Sequence, residues 1–100
     1  MKEAMEIDEI RETAANLFRG MFTKNALVEV VVKPGLDWEG DKILNIIFVF
    51  DETKKMLDIK KSIKLGSLVR DQIVVEEDCF PLIKFANTED ARVMRIGAAA

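Results

Sequence analysis

The chain has 100 residues, a size typical of one domain, and its apolar fraction of 49% is enough for a core. Its formal net charge of -3 argues against a surface built for nucleic acid or anionic membrane, because such surfaces are basic. Without a bilayer-length apolar run, a signal peptide or a second cysteine, we expect a cytoplasmic protein that does not contact membranes.

The first predicted element is an amphipathic helix over residues 3 to 19. Its apolar side chains recur at intervals of three and four residues, which is the period of one helix face. They are Ile7, Ile10, Ala14, Leu17 and Met21. Gly20 is expected to end the helix.

Two strands follow, over residues 27–33 and 43–50, joined by a loop too long for a two-residue turn. In the first, Val28, Val30 and Val32 alternate and predict one apolar face. The second is apolar on both faces. One face carries Leu44, Ile46, Phe48 and Phe50, and the other carries Ile43, Asn45, Ile47 and Val49.

A second helix is predicted from a cap at residues 51–53 or at Asp58 to about residue 75. Its expected apolar stripe is Ile59, Ile63, Val69 and Ile73, with Met56, Leu65 and Leu68 beside it. Gly66 lies on this stripe, where it either kinks the helix or lets it approach the sheet closely. Residues 80–85 predict an edge strand, because Pro81 cannot donate a ladder hydrogen bond. Asn87 or Thr88 then caps a short helix that ends near Met94.

The predicted order is therefore α-β-β-α-β-α. A right-handed β-α-β connection makes the third strand parallel to the second, which lies at the centre of a small mixed three-stranded sheet. The fold class is α+β, a two-layer sandwich with the helices on one face. Residues 1–97 are expected to form this single domain, and residues 98–100 a frayed tail.

The outer sheet face is then predicted to be apolar, with Leu27, Val31, Ile43, Ile47 and Val49. An exposed apolar patch of several hundred square ångströms usually marks an interface. We therefore expect a protein partner or self-association, for example as a dimer. Trp38, in the loop, either anchors that partner or folds back on the core. The terminal helix, around Arg92, Val93, Met94 and Ile96, is a second candidate contributor to that contact. The alternative is that the terminal helix or the Trp38 loop of the chain itself covers the face.

Candidate chemistry is scarce, because the chain has no histidine and one cysteine. This excludes Ser-His and Cys-His nucleophiles and zinc sites built from Cys and His. We therefore predict no catalytic residue, metal or cofactor, and hence no enzyme. Asp37, Glu39 and Asp41 could form a hard-cation site or a pair of acid-base carboxylates, but a solvated loop is the commoner arrangement. An enzyme that uses carboxylates alone is therefore the least favoured hypothesis. Cys79 follows an acidic run that should raise its pKa, so a structural role is expected.

Lys60, Lys61 and Lys64 cluster on the outer side of the second helix and form a candidate phosphate patch. The α-β-β-α-β order resembles that of bacterial K-homology RNA-binding domains. Those domains carry a Gly-x-x-Gly loop, whereas residues 66–69 keep only the first glycine. RNA binding is therefore the disfavoured alternative, and a charged outer face is the simpler interpretation.

Two segments together resemble a loose group of small bacterial proteins that are often encoded beside a toxin-like or HEPN-type gene. One is residues 78–85, DCFPLIKF, and the other is residues 37–40, DWEG, with the strand over residues 43–51. The resemblance covers most of the chain after Leu27. It implies an antitoxin-like or accessory partner protein without catalysis, and it assigns no functional residue. The resulting prediction is a non-enzymatic protein-binding module or homo-oligomer.

Overall fold

The structure is a computed structural model that describes residues 4–22, 26–51, 58–76 and 78–93. It contains three helices, α1 (Ile7–Met21), α2 (Ile59–Gln72) and α3 (Thr88–Val93), and three strands, β1 (Leu27–Leu36), β2 (Lys42–Phe50) and β3 (Cys79–Asn87). The α+β class and the predicted element order are confirmed. The predicted tail, residues 98–100, lies outside the described residues.

The sheet has the order β1-β2-β3, with β1 antiparallel and β3 parallel to the central strand β2. The doubly apolar pattern of β2 predicted this central position, and residues 46–50 are all buried. Pro81 lies on the edge strand β3, as its missing N–H requires. The predicted topology of the sheet is therefore confirmed.

The main core lies between one sheet face and the helices α1 and α2. Phe18 of α1, Phe48 of β2 and Phe85 of β3 stack in series, with ring centroids 5.5 Å and 5.3 Å apart. Around these rings lie buried aliphatic side chains from α1, β1, β2 and α2. They include Ile10, Ala14, Val30, Val32, Ile46, Leu65 and Val69.

Two helix starts follow from local side-chain chemistry. The Asp58 carboxylate accepts hydrogen bonds from the backbone N–H of Lys60 at 2.9 Å and of Lys61 at 3.3 Å, so it caps α2. The other predicted cap, residues 51–53, falls largely outside the described residues. Asn87 caps α3 by accepting from the N–H of Asp90 at 2.7 Å. α1 starts later than predicted and continues past Gly20 to Met21.

A β-bulge in β1 changes the face of two predicted residues. Leu27 pairs with Phe50 and Glu29 pairs with Val49, which leaves Val28 as an extra residue in the strand. Leu27 therefore packs on the helix side, and Val28 is 52% exposed. The predictions of Leu27 on the outer face and Val28 on the inner face are wrong, because simple alternation ignores the bulge.

The inward stripe of α2 also differs from the prediction. Leu65, Val69 and Ile73 are buried, whereas Ile59 and Ile63 are 77% and 68% exposed. Both stripes have helical spacing, so periodicity alone could not choose between them. Helix α2 packs beside α1, and its Leu65 side enters the shared core.

Helix α3 lies on the opposite sheet face from α1 and α2. Its Ala91 is fully buried against Val31, Ile47 and Val49, with Ala86 of β3 completing a second small core. The prediction of all helices on one face is therefore wrong for α3. The physical reason is that the outer face of β2 is apolar and α3 follows directly from the neighbouring strand.

Candidate protein-binding surface

The loop between β1 and β2 is held together by backbone N–H groups that donate hydrogen bonds to one side chain. Asp37 Oδ1 accepts from the backbone N–H of Glu39 at 2.9 Å and of Asp41 at 2.8 Å. The backbone adds two more bonds, from Asp37 N–H to the Asp41 carbonyl and from Gly40 N–H to the Asp37 carbonyl. Gly40 has a φ of 87°, a left-handed conformation suited to glycine. The loop is thus a defined turn.

Trp38 projects from this turn into solvent, with 92% of its surface exposed. The sequence left two alternatives for this side chain, and the structure excludes folding back on the core. The indole is also the largest exposed apolar group among the described residues. An indole held in water by a well-bonded turn is typical of a contact residue.

Beside the turn lies a part of the outer sheet face that α3 does not cover. We call it the open half and define it as Ile43, Asn45, Phe80 and Leu82. Ile43 pairs with Phe80 and Asn45 with Leu82, so the four residues form adjacent rows on β2 and β3. Phe80 is 57% exposed, and the other three are partly exposed. The accessible apolar residues of the open half therefore lie at the sheet end from which the turn extends.

Acidic side chains are concentrated at the end of the sheet that carries the turn between β1 and β2. Asp37, Glu39 and Asp41 belong to the turn, and Glu76 and Asp78 precede β3. Lys42 Nζ lies 3.2 Å from Asp78 and 3.8 Å from Glu76. The hydrogen bond to Asp78, together with both negative charges, raises the pKa of Lys42. Among the described residues of the turn and of the strand ends beside it, five carboxylates outnumber two lysines, Lys33 and Lys42, which favours a negative potential.

A pocket of about 380 Å³ opens on the helix side of the same sheet end. Its lining includes the only cysteine of the chain, Cys79, which is partly buried. Burial raises the pKa of the Cys79 thiol, and Glu76 and Asp78 raise it further. The sequence predicted the direction from the neighbouring acids but did not include burial, the larger cause.

The six residues predicted for the interface differ in the structure in their accessibility and in the sheet face on which they lie. Trp38 and Ile43 are accessible, and Leu27 lies on the helix side. Val31, Ile47 and Val49 are on the outer face as predicted, but they are buried beneath α3. The apolar patch is thus smaller than the sequence indicated, and the terminal helix supplies part of its cover. Arg92 and Val93 of that helix are exposed, while Met94 and Ile96 lie outside the described residues.

The residue that sequence reasoning missed is Phe80. The sequence pattern places Phe80 at the start of an edge strand but does not by itself assign it to a sheet face. The register of β3 against Ile43 assigns Phe80 to the open half. Alternation along β3 would have grouped Phe80 with Leu82, and a parallel pairing with β2 would have aligned both with the outer face.

The lysines predicted as a nucleic-acid patch are all exposed on α2. They lie in the first turns of the helix, where free backbone N–H groups can attract phosphate. The carboxylate of Asp58 already accepts from the N–H groups of Lys60 and Lys61. A phosphate at this helix end would have to displace an anion that the chain itself supplies.

No protein-family model, curated protein or solved structure matches this chain. Within the described part of the chain, no cluster of three or more His, Cys, Asp and Glu side chains is arranged to hold a metal ion. None of the described helices has the length and apolar character needed to cross a bilayer.

Proposed function

We propose that the chain is a non-enzymatic protein-binding module in which Trp38 anchors a partner protein with a basic surface. The observation that carries the proposal is the 92% exposure of Trp38 on a turn fixed by the Asp37 carboxylate. The accessory, antitoxin-like role implied by the sequence resemblance is one form of this function.

The fixed turn favours binding because it limits the entropy lost on association. A flexible loop must be ordered when a partner binds, whereas this backbone is already restrained by the four hydrogen bonds of the turn. Burying an exposed indole contributes roughly 2 kcal/mol or more at the centre of an interface. Phe80 and Ile43 extend the apolar contact onto the sheet.

The charge of the surface supports a basic partner over a second copy of the chain. The carboxylates at this end would repel the same end of another molecule, and each would attract lysine or arginine. We therefore expect a partner that provides an apolar pocket for the indole and basic groups around it. Self-association through this surface would be opposed by charge at low salt.

The test is affinity capture from the cells that produce the chain, followed by titration of the purified partner. We expect Trp38→Ala to weaken binding by about 30-fold or more. Trp38 is the only tryptophan and the chain has no tyrosine, so its emission should shift to shorter wavelength as the partner buries the indole. Affinity should also fall as salt rises.

Val93→Ala is the matched control, since Val93 is another exposed apolar side chain but lies on α3. It should bind like the unmodified chain. Equal affinity of Trp38→Ala and Val93→Ala for the purified partner would refute the proposal, as would a complex in which the Trp38 emission does not change. A stable dimer by light scattering that survives Trp38→Ala would favour self-association through another surface.

RNA binding through Lys60, Lys61 and Lys64 has weaker support. Their exposure is compatible with phosphate contacts, but exposed lysines on an outer helix face are common. The Asp58 cap and the acidic sheet end both oppose a polyanion.

A further inference from the structure

The pocket beside Cys79 has walls that are almost entirely apolar. Helix α1, strand β2 and the segments next to the helices contribute aliphatic side chains to it. Among them are Met5, Ile7, Ile10, Leu44 and Val75. Its volume of about 380 Å³ lies within the usual range for small-molecule sites, about 300 to 1,000 Å³.

One wall of the pocket is formed by the short segment that precedes α1, which includes Ala4 and Met5 and which we call the strap. Met5 N–H donates to the Val74 carbonyl at 2.7 Å, and Val74 N–H donates to Met5 Sδ at 3.3 Å. These two bonds join the strap to the segment that follows α2. The strap is therefore held against this segment and forms one wall of the pocket.

Among the described residues that line the pocket, the polar side chains are Lys42, Glu76 and Cys79, and the first two are largely exposed and so belong to its edge. Asp78, also exposed, lies 3.2 Å from Lys42. Two carboxylates face one ammonium group, so the edge carries a net negative charge. The acidic turn adds to it. An anionic ligand would be repelled here, whereas a cationic group would be attracted.

We propose that this pocket binds a small amphiphile with a short alkyl chain and a cationic head group. The chain lies among Met5, Ile10 and Leu44, and the head group stays at the edge beside Glu76. Burial of the alkyl chain provides most of the affinity, and the edge charges select the head group. The proposal does not depend on Trp38 or on a protein partner.

Cys79 gives a direct test, because it is the only cysteine of the chain and it lines the pocket. The rate of its alkylation by iodoacetamide, a neutral reagent, is measured by mass spectrometry at about pH 8. The probe is octyltrimethylammonium at low salt, below its micelle concentration. We expect saturable slowing of alkylation by roughly five-fold or more, since only the transiently free pocket reacts.

Octanol and octanoate serve as head-group controls with the same chain length. Octyltrimethylammonium should reach half-saturation at the lowest concentration and octanoate at the highest, with about two- to five-fold between the cation and octanol. Glu76→Gln should reduce this preference and leave octanol unchanged. Tightest binding by octanoate would overturn the cationic assignment.

Two aromatic substitutions at exposed residues distinguish binding in the pocket from binding elsewhere on the surface. Ala4 lines the pocket, so Ala4→Phe should fill its mouth and abolish protection of Cys79. Asn16→Phe adds the same ring on α1 away from the pocket and should leave protection intact. Trp38→Ala should also keep it, which distinguishes this site from the partner surface.

The proposal is overturned if none of the three amphiphiles slows alkylation saturably. It is equally overturned if Ala4→Phe, folded by circular dichroism, is protected like the unmodified chain. Slowing that appears only together with a loss of helical circular dichroism also counts against it, because the amphiphile would then be perturbing the fold and not occupying the pocket.

Discussion

Single residues in this chain show how backbone conformation and space decide the effect of a substitution. Gly66 was predicted either to kink α2 or to let it approach the sheet closely. The helix continues through this position, and a Cβ atom built on Gly66 meets no atom within 4 Å. Gly40 also has free space around its Cβ position, but its φ of 87° strains any other residue.

We expect Gly66→Ala to raise the free energy of unfolding by about 0.5 to 1 kcal/mol, because alanine favours the helix and fills empty space. Gly40→Ala should lower it by roughly 1 kcal/mol, because alanine resists the left-handed conformation. Urea unfolding followed by circular dichroism measures both. A destabilising Gly66→Ala would mean that α2 lies closer to its neighbours than the structure places it.

At the scale of elements, the sequence predicted where helices and strands occur better than which side they bury. The caps at Asp58 and Asn87 were predictable because capping depends on a few neighbouring atoms. The exposure of Ile59 and Ile63 was not, since it depends on how α2 packs beside α1. The bulge at Val28 leaves the composition of β1 unchanged and shows itself only in the pairing with β2.

Helix α3 is the element whose position most affects the candidate site, because it covers Val31, Ile47 and Val49. Ala91→Glu would bury a charge against this apolar cluster. We expect it to lower the free energy of unfolding by about 2 to 4 kcal/mol and to increase the binding of an apolar fluorescent dye. Thermal and urea unfolding, with dye fluorescence below the transition, provide the measurement.

Val93→Glu is the control for this experiment, since it adds the same charge to an exposed position on α3. It should change stability by no more than about 0.5 kcal/mol. If Ala91→Glu were as stable as Val93→Glu and bound no more dye, α3 would not be packed on the outer face. The open half would then extend over the whole face.

For the whole molecule, simple topological rules were enough to predict the sheet. Strand β2 is central because both of its faces are apolar, and a β-α-β connection makes β3 its parallel neighbour. The candidate site was predictable only in part. Trp38 and Ile43 were identified from the sequence, but the extent of the apolar surface depends on α3, which covers half of the outer face by long-range packing.

The composition of the whole chain makes its alkaline stability unusually simple to interpret. With no histidine and no tyrosine, Cys79 is the only side chain whose ordinary pKa lies between about 7 and 9.5. Its pKa is raised in the folded protein, mainly by burial. Above the ordinary thiol pKa the unfolded chain loses this proton first, so the fold loses stability as pH rises from about 8.5.

Lys42 acts in the same direction at higher pH. Its pKa is raised by the hydrogen bond to Asp78, so the stabilisation it provides is complete below the unfolded lysine pKa of about 10.4 and is lost as pH rises through the folded value. We expect the unfolding temperature to be flat near pH 7 and to begin falling at about pH 8.5. In Cys79→Ala the fall should begin only as Lys42 titrates, and Lys42→Met should weaken that later phase. An unchanged onset in Cys79→Ala would show that the thiol is not perturbed by its surroundings in the pocket.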